Sequence, residues 1–391
     1  MRISRLFISA ILLASVPVAC TKGLYGDGTS SVLGTVTEGM EAASAGVLTA
    51  GEWSDLANWD FWGELLGNSQ FEGYQNYWSM FTDNRVAVKV ELPDGAPAIG
   101  VKVGLTRNGS PVWQAVTDNQ GKAECWYSYF SHDASVVYDS SSWAAFGVTL
   151  DGVAQAESPL FSKRGWPASI NTYTINTYKA PGKTADVAFI VDATGSMDDE
   201  IEFLKQDLSS ILGRVKDSTD VTLRTATVFY RDRDDSYLTK YSAFTDDIRS
   251  TVNFISSQKA AGGGDYEEAI HSAFESALRD LKWDDSGRAH IAFLLFDAPA
   301  HQERKEVIAS LQASTEAFAA RGIRLIPVLA SGGSKEAEFL GRLVAIATGG
   351  TYVFLTDASG IGADHIEASV GEYKLEKLND LLVRVLLENI V

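Results

Sequence analysis

The sequence predicts two folded domains: an all-β sandwich over residues 84–180 and a doubly wound α/β domain over residues 184–391. Two apolar runs, 187–191 and 290–296, each end at an aspartate and are typical of buried parallel strands. Amphipathic segments with helical spacing follow such runs, which favours α/β architecture. Alternating apolar and polar residues over 86–92 indicate half-buried strands, which favours the sandwich.

Composition narrows the classes of partner. The chain has 391 residues with 45% hydrophobic content, enough for a sizeable core. Its net charge is −18, from 33 basic and 51 acidic residues. An acidic surface repels phosphate groups, so we expect no nucleic-acid partner and no binding of the folded part to an anionic membrane.

Residues 1–20 have the features of a secretory signal peptide. Arg2 and Arg5 precede an apolar stretch, and S-V-P-V-A-C ends it at Cys20. This ending resembles a bacterial lipobox, which implies lipidation of Cys20 and an exported protein of the bacterial cell envelope, anchored in the outer membrane or at the cell surface. Contact with the membrane would then be through the lipid only. Pro17 stands where leucine is usual, so cleavage after Ala19 without lipidation is the alternative.

Two segments separate the signal peptide from the sandwich. Residues 21–50 are rich in Gly, Ser, Thr and Ala, which predicts a flexible tether. Residues 51–83 are rich in aromatic side chains. Those aromatics could stack on sugar rings or on a partner protein, or they could pack on the sandwich; we favour packing on the sandwich.

Within residues 84–180, short strands alternate with turns such as N-G at Asn108 and Gly109. Further strands are predicted at 136–138, 146–150 and 173–178. The run V-K-V-G-L with the later T-D-N-Q-G-K-A turn resembles the carboxypeptidase-regulatory-like or prealbumin-like sandwiches. Domains of this kind usually serve as spacers or binding modules, so the resemblance implies no activity.

The α/β domain is predicted from its alternation of element types. A long amphipathic helix follows the first buried strand, and a final helix ends the chain. Between them the predicted strands are 222–230, 290–296, 324–329 and 351–355, and the predicted helices are 246–257, 265–281, 303–320 and 335–347.

The loop after the first buried strand is the candidate functional site. Asp192, Thr194 and Ser196 place oxygen-bearing side chains at alternate positions where a sheet of this class binds ligands. Carboxylate and hydroxyl oxygens suit hard cations such as Mg²⁺, Mn²⁺ or Ca²⁺. Alternatively, Asp192 and Ser196 only cap the next helix.

The D-A-T-G-S sequence of this loop resembles the D-x-S-x-S metal-ion-dependent adhesion site (MIDAS) of the von Willebrand factor type A (VWA) family, whose domain is Rossmann-like. Two later motifs, G-G-G-D and F-D-A-P-A-H, strengthen the resemblance, which covers residues 184–391. It implies that Asp265 and Asp297 complete a magnesium site with Asp192, Thr194 and Ser196.

Asp265 departs from the adhesion members of that family, which carry a threonine in this loop. Three carboxylates would face the two charges of a dication, so we infer that the metal needs no acidic group from a partner. Asp232, in the Y-R-D loop, is either a residue that hydrogen-bonds a ligand or an ordinary loop acid.

The resemblance favours a surface-anchored adhesion protein that binds an unidentified protein partner through its metal site. A metal-dependent hydrolase is an alternative, with His301 as the candidate general base, and a purely structural envelope module is another. The sequence has no G-x-S-x-G, H-E-x-x-H or Walker motif, so we expect no enzymatic activity.

Overall fold

A computed structural model describes residues 36–37, 48–133, 135–357 and 365–391. The predicted signal peptide, its lipidation site Cys20 and most of the predicted tether at 21–50 lie outside these residues. Among the helices in the described ranges, none combines the length and the apolar character that crossing a membrane requires.

Secondary structure covers most of the described chain. The helices there are α1 (Trp59–Leu65), α2 (Ser69–Trp78), α3 (Ser135–Tyr138), α4 (Asp198–Asp217), α5 (Ile248–Ser256), α6 (Ile270–Arg279), α7 (Lys305–Ala320), α8 (Lys335–Thr348) and α9 (Leu378–Ile390). The strands there are β1 (Val36–Thr37), β2 (Thr49–Trp53), β3 (Asn84–Glu91), β4 (Lys102–Arg107), β5 (Ser110–Val116), β6 (Lys122–Tyr127), β7 (Phe146–Leu150), β8 (Val153–Ala154), β9 (Ile170–Thr174), β10 (Thr184–Asp192), β11 (Thr222–Tyr230), β12 (Thr239–Thr245), β13 (Ala289–Phe296), β14 (Ile323–Leu329), β15 (Tyr352–Thr356), β16 (Tyr373–Lys374) and β17 (Glu376–Lys377).

The largest sheet has eight strands in the order β12-β11-β10-β13-β14-β15-β2-β17. Its five central strands, from β11 to β15 in that order, run parallel, whereas β12 and β2 are antiparallel to their neighbours. Asp192 is in register with Tyr230, and Val191 is in register with Leu295. Asp192, Tyr230 and the residue that follows β13, Asp297, therefore meet at the carboxyl edge of the sheet.

Helices cover both faces of this sheet. Apolar residues of α4, α5 and α9 form one core with one face, and apolar residues of α6, α7 and α8 pack on the other. Burial on both faces explains why β10 and β13 are continuous apolar runs without alternation. The predicted α/β fold is confirmed for this part of the chain.

Two smaller sheets lie within residues 84–174, with strand orders β6-β3-β9 and β5-β4-β7-β8. The rings of Tyr127 and Phe146 join them, with centroids 5.0 Å apart. These are strands of the kind that a sandwich requires, and the all-β sandwich itself stays a prediction.

The strand predicted at residues 136–138 is wrong, because this segment is the helix α3. Its β-branched residues favour a strand locally. Two side chains instead satisfy its first backbone N–H groups: Asp133 accepts from Ser135 at 3.2 Å, and Asn84 accepts from Val137 at 3.0 Å. These hydrogen bonds and the burial of Val137 outweigh the local preference for a strand.

The carboxyl end of the predicted tether at 21–50 is part of the strand β2, so the prediction of a flexible tether is wrong there. Thr49 and Ala50 are fully buried, and β2 pairs antiparallel with both β15 and β17. The residues that pair with it lie some 300 positions later, so no local pattern could reveal the strand; Thr49 and Thr356 are 307 residues apart. Gly51 is required there, since a Cβ would lie 2.5 Å from the Phe354 ring.

The aromatic-rich segment at residues 51–83 forms α1 and α2 and packs on more than the small sheets. Trp59 contacts Trp126 of β6, with ring centroids 5.9 Å apart. Phe71 and Tyr74 instead stack on Phe339 of α8, at 5.3 and 4.8 Å. The prediction of packing on the sandwich alone is therefore too narrow.

A buried ion pair also links this segment to the α/β core. The Arg342 guanidinium on α8 donates to both carboxylate oxygens of Asp55, at 2.6 and 2.9 Å, and also to Glu338 and to the Ser369 carbonyl. Contacts place the described residues from Leu33 onward in a single compact unit. The bounds at 180 and 184 between two domains stay a prediction.

Candidate metal site

The first loop of the site is shaped by hydrogen bonds of Asp192. Its Oδ1 accepts from both the backbone N–H and the hydroxyl of Thr194, each at 2.8 Å. The hydroxyl oxygens of Thr194 and Ser196 lie 3.5 Å apart. A 3₁₀ turn, Gly195–Met197, then leads into α4. The alternate positions seen in the sequence thus bring three side-chain oxygens together.

Four buried carboxylate oxygens at this edge accept no hydrogen bond of normal geometry: Oδ2 of Asp192, Oδ1 of Asp297, Oε2 of Glu268 and Oε2 of Glu200. All four residues are at most 4% exposed. Buried polar atoms are almost always paired, because an unpaired one loses its hydration without compensation. A divalent cation would satisfy oxygens of this kind, so the residues fit such an ion.

Burial and mutual repulsion disfavour the charged forms of these acids. The pKa of Asp192 is raised to about 7, first by burial and then by the negative charge of Asp297, against hydrogen bonds from Thr194 that lower it. Burial raises the pKa of Asp297 as well. The pKa of Glu268 is raised to about 9 by burial and by the charges of Asp192 and Asp232. The site therefore lacks positive charge.

The guanidinium of Arg231 donates its hydrogen bonds to backbone carbonyls and to the Ser236 hydroxyl rather than to these carboxylates. Arg231 donates from Nε to the Ala193 carbonyl at 2.9 Å and from Nη2 to the Lys259 carbonyl at 2.7 Å. The guanidinium carbon of Arg231 lies 4.5 Å from the centroid of the Tyr237 ring. Arg231 thus fixes the first loop against the segment that precedes the glycine-rich loop.

The glycine-rich loop is bound directly to the first loop. Gly195 donates its N–H to the Gly262 carbonyl at 3.2 Å, and Gly263 donates to Asp235 Oδ2 at 3.0 Å. Gly262 has φ +89°, and a Cβ there would lie 2.0 Å from the Asp235 carboxylate. Only glycine allows this approach.

A second group of ligand-type side chains lies beside the first. Asp232, Asp265 and His301 each place one ligand atom within 4.8 Å of the others. Asp232 and His301 are buried, with Oδ1 and Nε2 2.9 Å apart, while Asp265 is exposed. Asp265 thus groups with Asp232 and His301, and it forms no comparably tight set with Asp192 and Asp297.

The predicted site residues are therefore divided between two places. Asp192, Thr194, Ser196 and Asp297 lie together, and Asp265 lies in the neighbouring group. The Y-R-D loop acid Asp232 faces His301, so it is more than an ordinary loop residue.

Glu268 is a buried acid of the site that is not among the site residues predicted from the sequence. Its burial depends on a parallel bridge to Ala300, which no local pattern reveals. Glu200 of α4 was missed as well: it is buried, and its Oε1 accepts from the backbone and hydroxyl of Ser331.

Residues 186–320 match the family model of the von Willebrand factor A domain, which supports a VWA-domain protein. A putative ariadne-like RING finger protein of Acanthamoeba polyphaga mimivirus is 34% identical over 118 residues. That match covers 30% of this chain and 11% of the viral protein, so the chain spans about a tenth of that relative's length.

Among solved structures, two crystal forms of proximal thread matrix protein 1 from the mussel byssus are similar at 15% identity, with TM-scores of 0.32 and 0.33. Each covers 54% of this chain, and the match spans 46% and 45% of the mussel chains. Similarity this low adds nothing to the description of the fold.

Proposed function

We propose that this protein binds a divalent cation, Mg²⁺ or else Mn²⁺ or Ca²⁺, at Asp192, Thr194, Ser196 and Asp297, and that it binds a protein partner through that cation. A VWA domain indicates a role in binding or protein–protein interaction. The finer proposal rests on the four side chains that meet at the carboxyl edge of the sheet. Two carboxylates balance the two charges of the ion, so the partner's ligand need not be acidic.

One observation carries this proposal: the buried, unpaired oxygens of Asp192 and Asp297 beside two hydroxyl groups. Helix capping alone does not account for them. A capping carboxylate accepts from backbone N–H groups of the first turn, whereas Asp192 Oδ2 and Asp297 Oδ1 accept no hydrogen bond of normal geometry. The nearby hydroxyls of Tyr230 and Ser196 only lower the pKa of Asp192 and Asp297, respectively, against the effect of burial. Oxygen-only ligands of this kind are those that hard cations prefer.

We also propose that the protein is not an enzyme. A general base must have a ring nitrogen free to take a proton from substrate or water. His301 is 3% exposed, and its Nε2 and Nδ1 lie 2.9 and 3.4 Å from carboxylate oxygens of Asp232 and Glu303. Burial of His301 keeps its ring away from a substrate in solution, which weakens the hydrolase alternative.

The site of action that we propose is the bacterial cell envelope, outside the cytoplasm. The signal-peptide pattern of residues 1–20 and the lipobox-like ending at Cys20 support this location. Export would present the cation site to partners at a surface, where an acidic protein with charge −18 stays soluble.

Thermal unfolding of the full chain tests the cation site. We expect the midpoint to rise when Mg²⁺, Mn²⁺ or Ca²⁺ replaces a chelator, because a ligand that binds only the folded state stabilises it by about 2.7 kcal/mol at one hundred times its Kd. Asp192→Asn should abolish the rise. In chelator this variant should be no less stable than the wild type, since it removes a buried charge.

The matched control is Asp217→Asn, which removes an exposed acid at the far end of α4, roughly 28 Å from the site at the helical rise of 1.5 Å per residue. It should keep the full response to metal. A wild type that shows no shift with any of the three metals at millimolar concentration contradicts the proposal. If the proposal is right, capture of a partner from envelope extract should fail when chelator is present and when the bait is Asp192→Asn.

A further inference from the structure

We propose that the protein has a second cation site, formed by Asp232, Asp265 and His301, which takes a transition-metal ion such as Mn²⁺ or Zn²⁺. This site is separate from the one formed by Asp192 and Asp297, and its existence does not depend on the proposed binding function. The two sites would lie side by side, with the Glu268 carboxylate close to both.

The spacing of the three side chains fits one ion. Their ligand atoms lie within 4.8 Å of one another, and Asp232 Oδ1 is 2.9 Å from His301 Nε2. Metal–ligand bonds of about 2.0–2.2 Å place neighbouring ligand atoms on the order of 3–4 Å apart. The cluster therefore needs only small side-chain movements to close around an ion. The exposed Asp265 gives that ion a way in from solvent.

Glu268, whose unpaired oxygen also lies near the first site, adds to the case for a cation here. Its Oε2 is buried and unpaired, and after burial the groups that act most strongly on it are Asp192 of the first site and Asp232 of the second. Its backbone N–H donates to the Pro299 carbonyl at 2.8 Å, which holds it beside Ala300 and hence beside His301. An unpaired carboxylate between two groups of acids suits a ligand shared by two cations.

The surroundings of the second cluster hold its ligands in place. Glu303 Oε1 lies 3.4 Å from His301 Nδ1, and a carboxylate at the second ring nitrogen fixes the orientation of a metal-binding histidine. Asp235 accepts from the backbone N–H groups of Asp232 and Gly263, at 3.3 and 3.0 Å. It thereby joins the loop that carries Asp232 to the loop that leads to Asp265.

The donor atoms decide which metal each site prefers. Imidazole nitrogen suits Zn²⁺ and other transition metals, whereas carboxylate and water oxygen suit Mg²⁺, Ca²⁺ and Mn²⁺. The site at Asp192 offers oxygen only. The site at His301 offers one nitrogen and two carboxylates, which favours Mn²⁺ or Zn²⁺ over Mg²⁺. One chain would therefore hold two ions of different preference.

Manganese binding to the full chain tests this inference. The protein is stripped of metal with chelator and dialysed against Mn²⁺. Its metal content is then measured by mass spectrometry, and the bound Mn²⁺ is observed by electron paramagnetic resonance. We expect two Mn²⁺ ions per wild-type chain, with excess Mg²⁺ displacing only one. His301→Gln should hold one ion, which Mg²⁺ displaces. Asp192→Asn should hold one ion, which Mg²⁺ does not displace.

Asp265→Asn is the second variant, because its exposed side chain can change without disturbing the core. It should lose or weaken the ion that Mg²⁺ does not displace. His132→Gln, at an exposed histidine, is the control and should keep two ions. One Mn²⁺ ion in the wild type that Mg²⁺ displaces, or two ions in His301→Gln, overturns the inference. One Mn²⁺ ion in the wild type that Mg²⁺ does not displace would instead count against the first site and its proposed function.

Discussion

Asp192, Asp297 and Glu268 occupy positions where an apolar side chain would cost the fold less. Each is an acid at a buried position with one unpaired oxygen. Removing an ionised carboxylate from water costs several kcal/mol even after relaxation, unless a counter-charge compensates. Residues that lower stability in this way are expected at functional sites, where the cost is offset by what binds there.

His271, half-buried on α6, makes stability depend on pH. Burial lowers the pKa of His271. Near pH 6.5 the unfolded chain takes up a proton that the folded chain does not, so the free energy of unfolding falls as the pH drops below about 6.5. His271→Leu lacks this loss. Urea unfolding at about pH 8 and about pH 5.5 should show the variant gaining on the wild type, by less than about 1.4 kcal/mol per pH unit.

For this comparison both proteins are measured at one Mg²⁺ concentration. His132→Gln, at an exposed histidine, should leave the pH dependence unchanged. An equal fall in stability for wild type and His271→Leu between the two pH values would show that His271 does not contribute.

The strands β10 and β13 could be predicted from the sequence, whereas β2 could not. The difference is whether the pattern that specifies the strand is local. β10 and β13 carry continuous apolar runs, 187–191 and 291–296, because helices cover both faces, and that pattern is local. β2 has a short, mixed sequence, T-A-G-E-W, and is a strand only because β15 and β17 pair with it. Strand formation at β2 is therefore a tertiary effect.

Two glycine-to-alanine substitutions separate the effect of tertiary packing from that of local backbone conformation. At Gly51 in β2 an added Cβ would lie 2.5 Å from the Phe354 ring and 2.6 Å from that of Tyr373. Gly51→Ala should therefore cost about 1–3 kcal/mol in unfolding free energy. At Gly73, exposed in α2, nothing lies within 4 Å of the added atom, so Gly73→Ala should stabilise by about 0.5–1 kcal/mol.

Urea unfolding of the two variants and the wild type measures both effects. Gly73→Ala also controls for the smaller conformational freedom that alanine has in the unfolded chain. A Gly51→Ala variant as stable as the wild type would mean that β2 does not pack against β15 as described.

For the whole molecule, the central sheet, the order of its helices and four residues of the proposed first cation site could be predicted from the sequence. Those features repeat with a local period or follow directly after a strand. The strand β2, the helix α3, the burial of Glu268 and the position of Asp265 beside His301 could not be predicted. Each of these depends on contacts between distant segments, such as Glu268 with Ala300, which periodicity does not encode.

The buried ion pair of Arg342 with Asp55 is one such distant contact, and it joins the aromatic segment to α8. Arg342→Met leaves Asp55 and Glu338 buried without their counter-charge, so it should destabilise the protein by about 3–5 kcal/mol. The control is Arg214→Met, at an ion pair with Asp380 whose side chains are 45% and 51% exposed; it should cost at most about 1 kcal/mol. Equal losses in urea unfolding would contradict this account.

The position of β2 also has a mechanical consequence. Hydrogen bonds flank β2 on both sides, to β15 and to β17, and all of them lie across the direction in which the chain enters at Thr49. Tension applied along β2 from its amino end would load these bonds together in shear, whereas tension across the strand would open them one after another. A pull from that end would therefore meet high resistance before the sheet gives way.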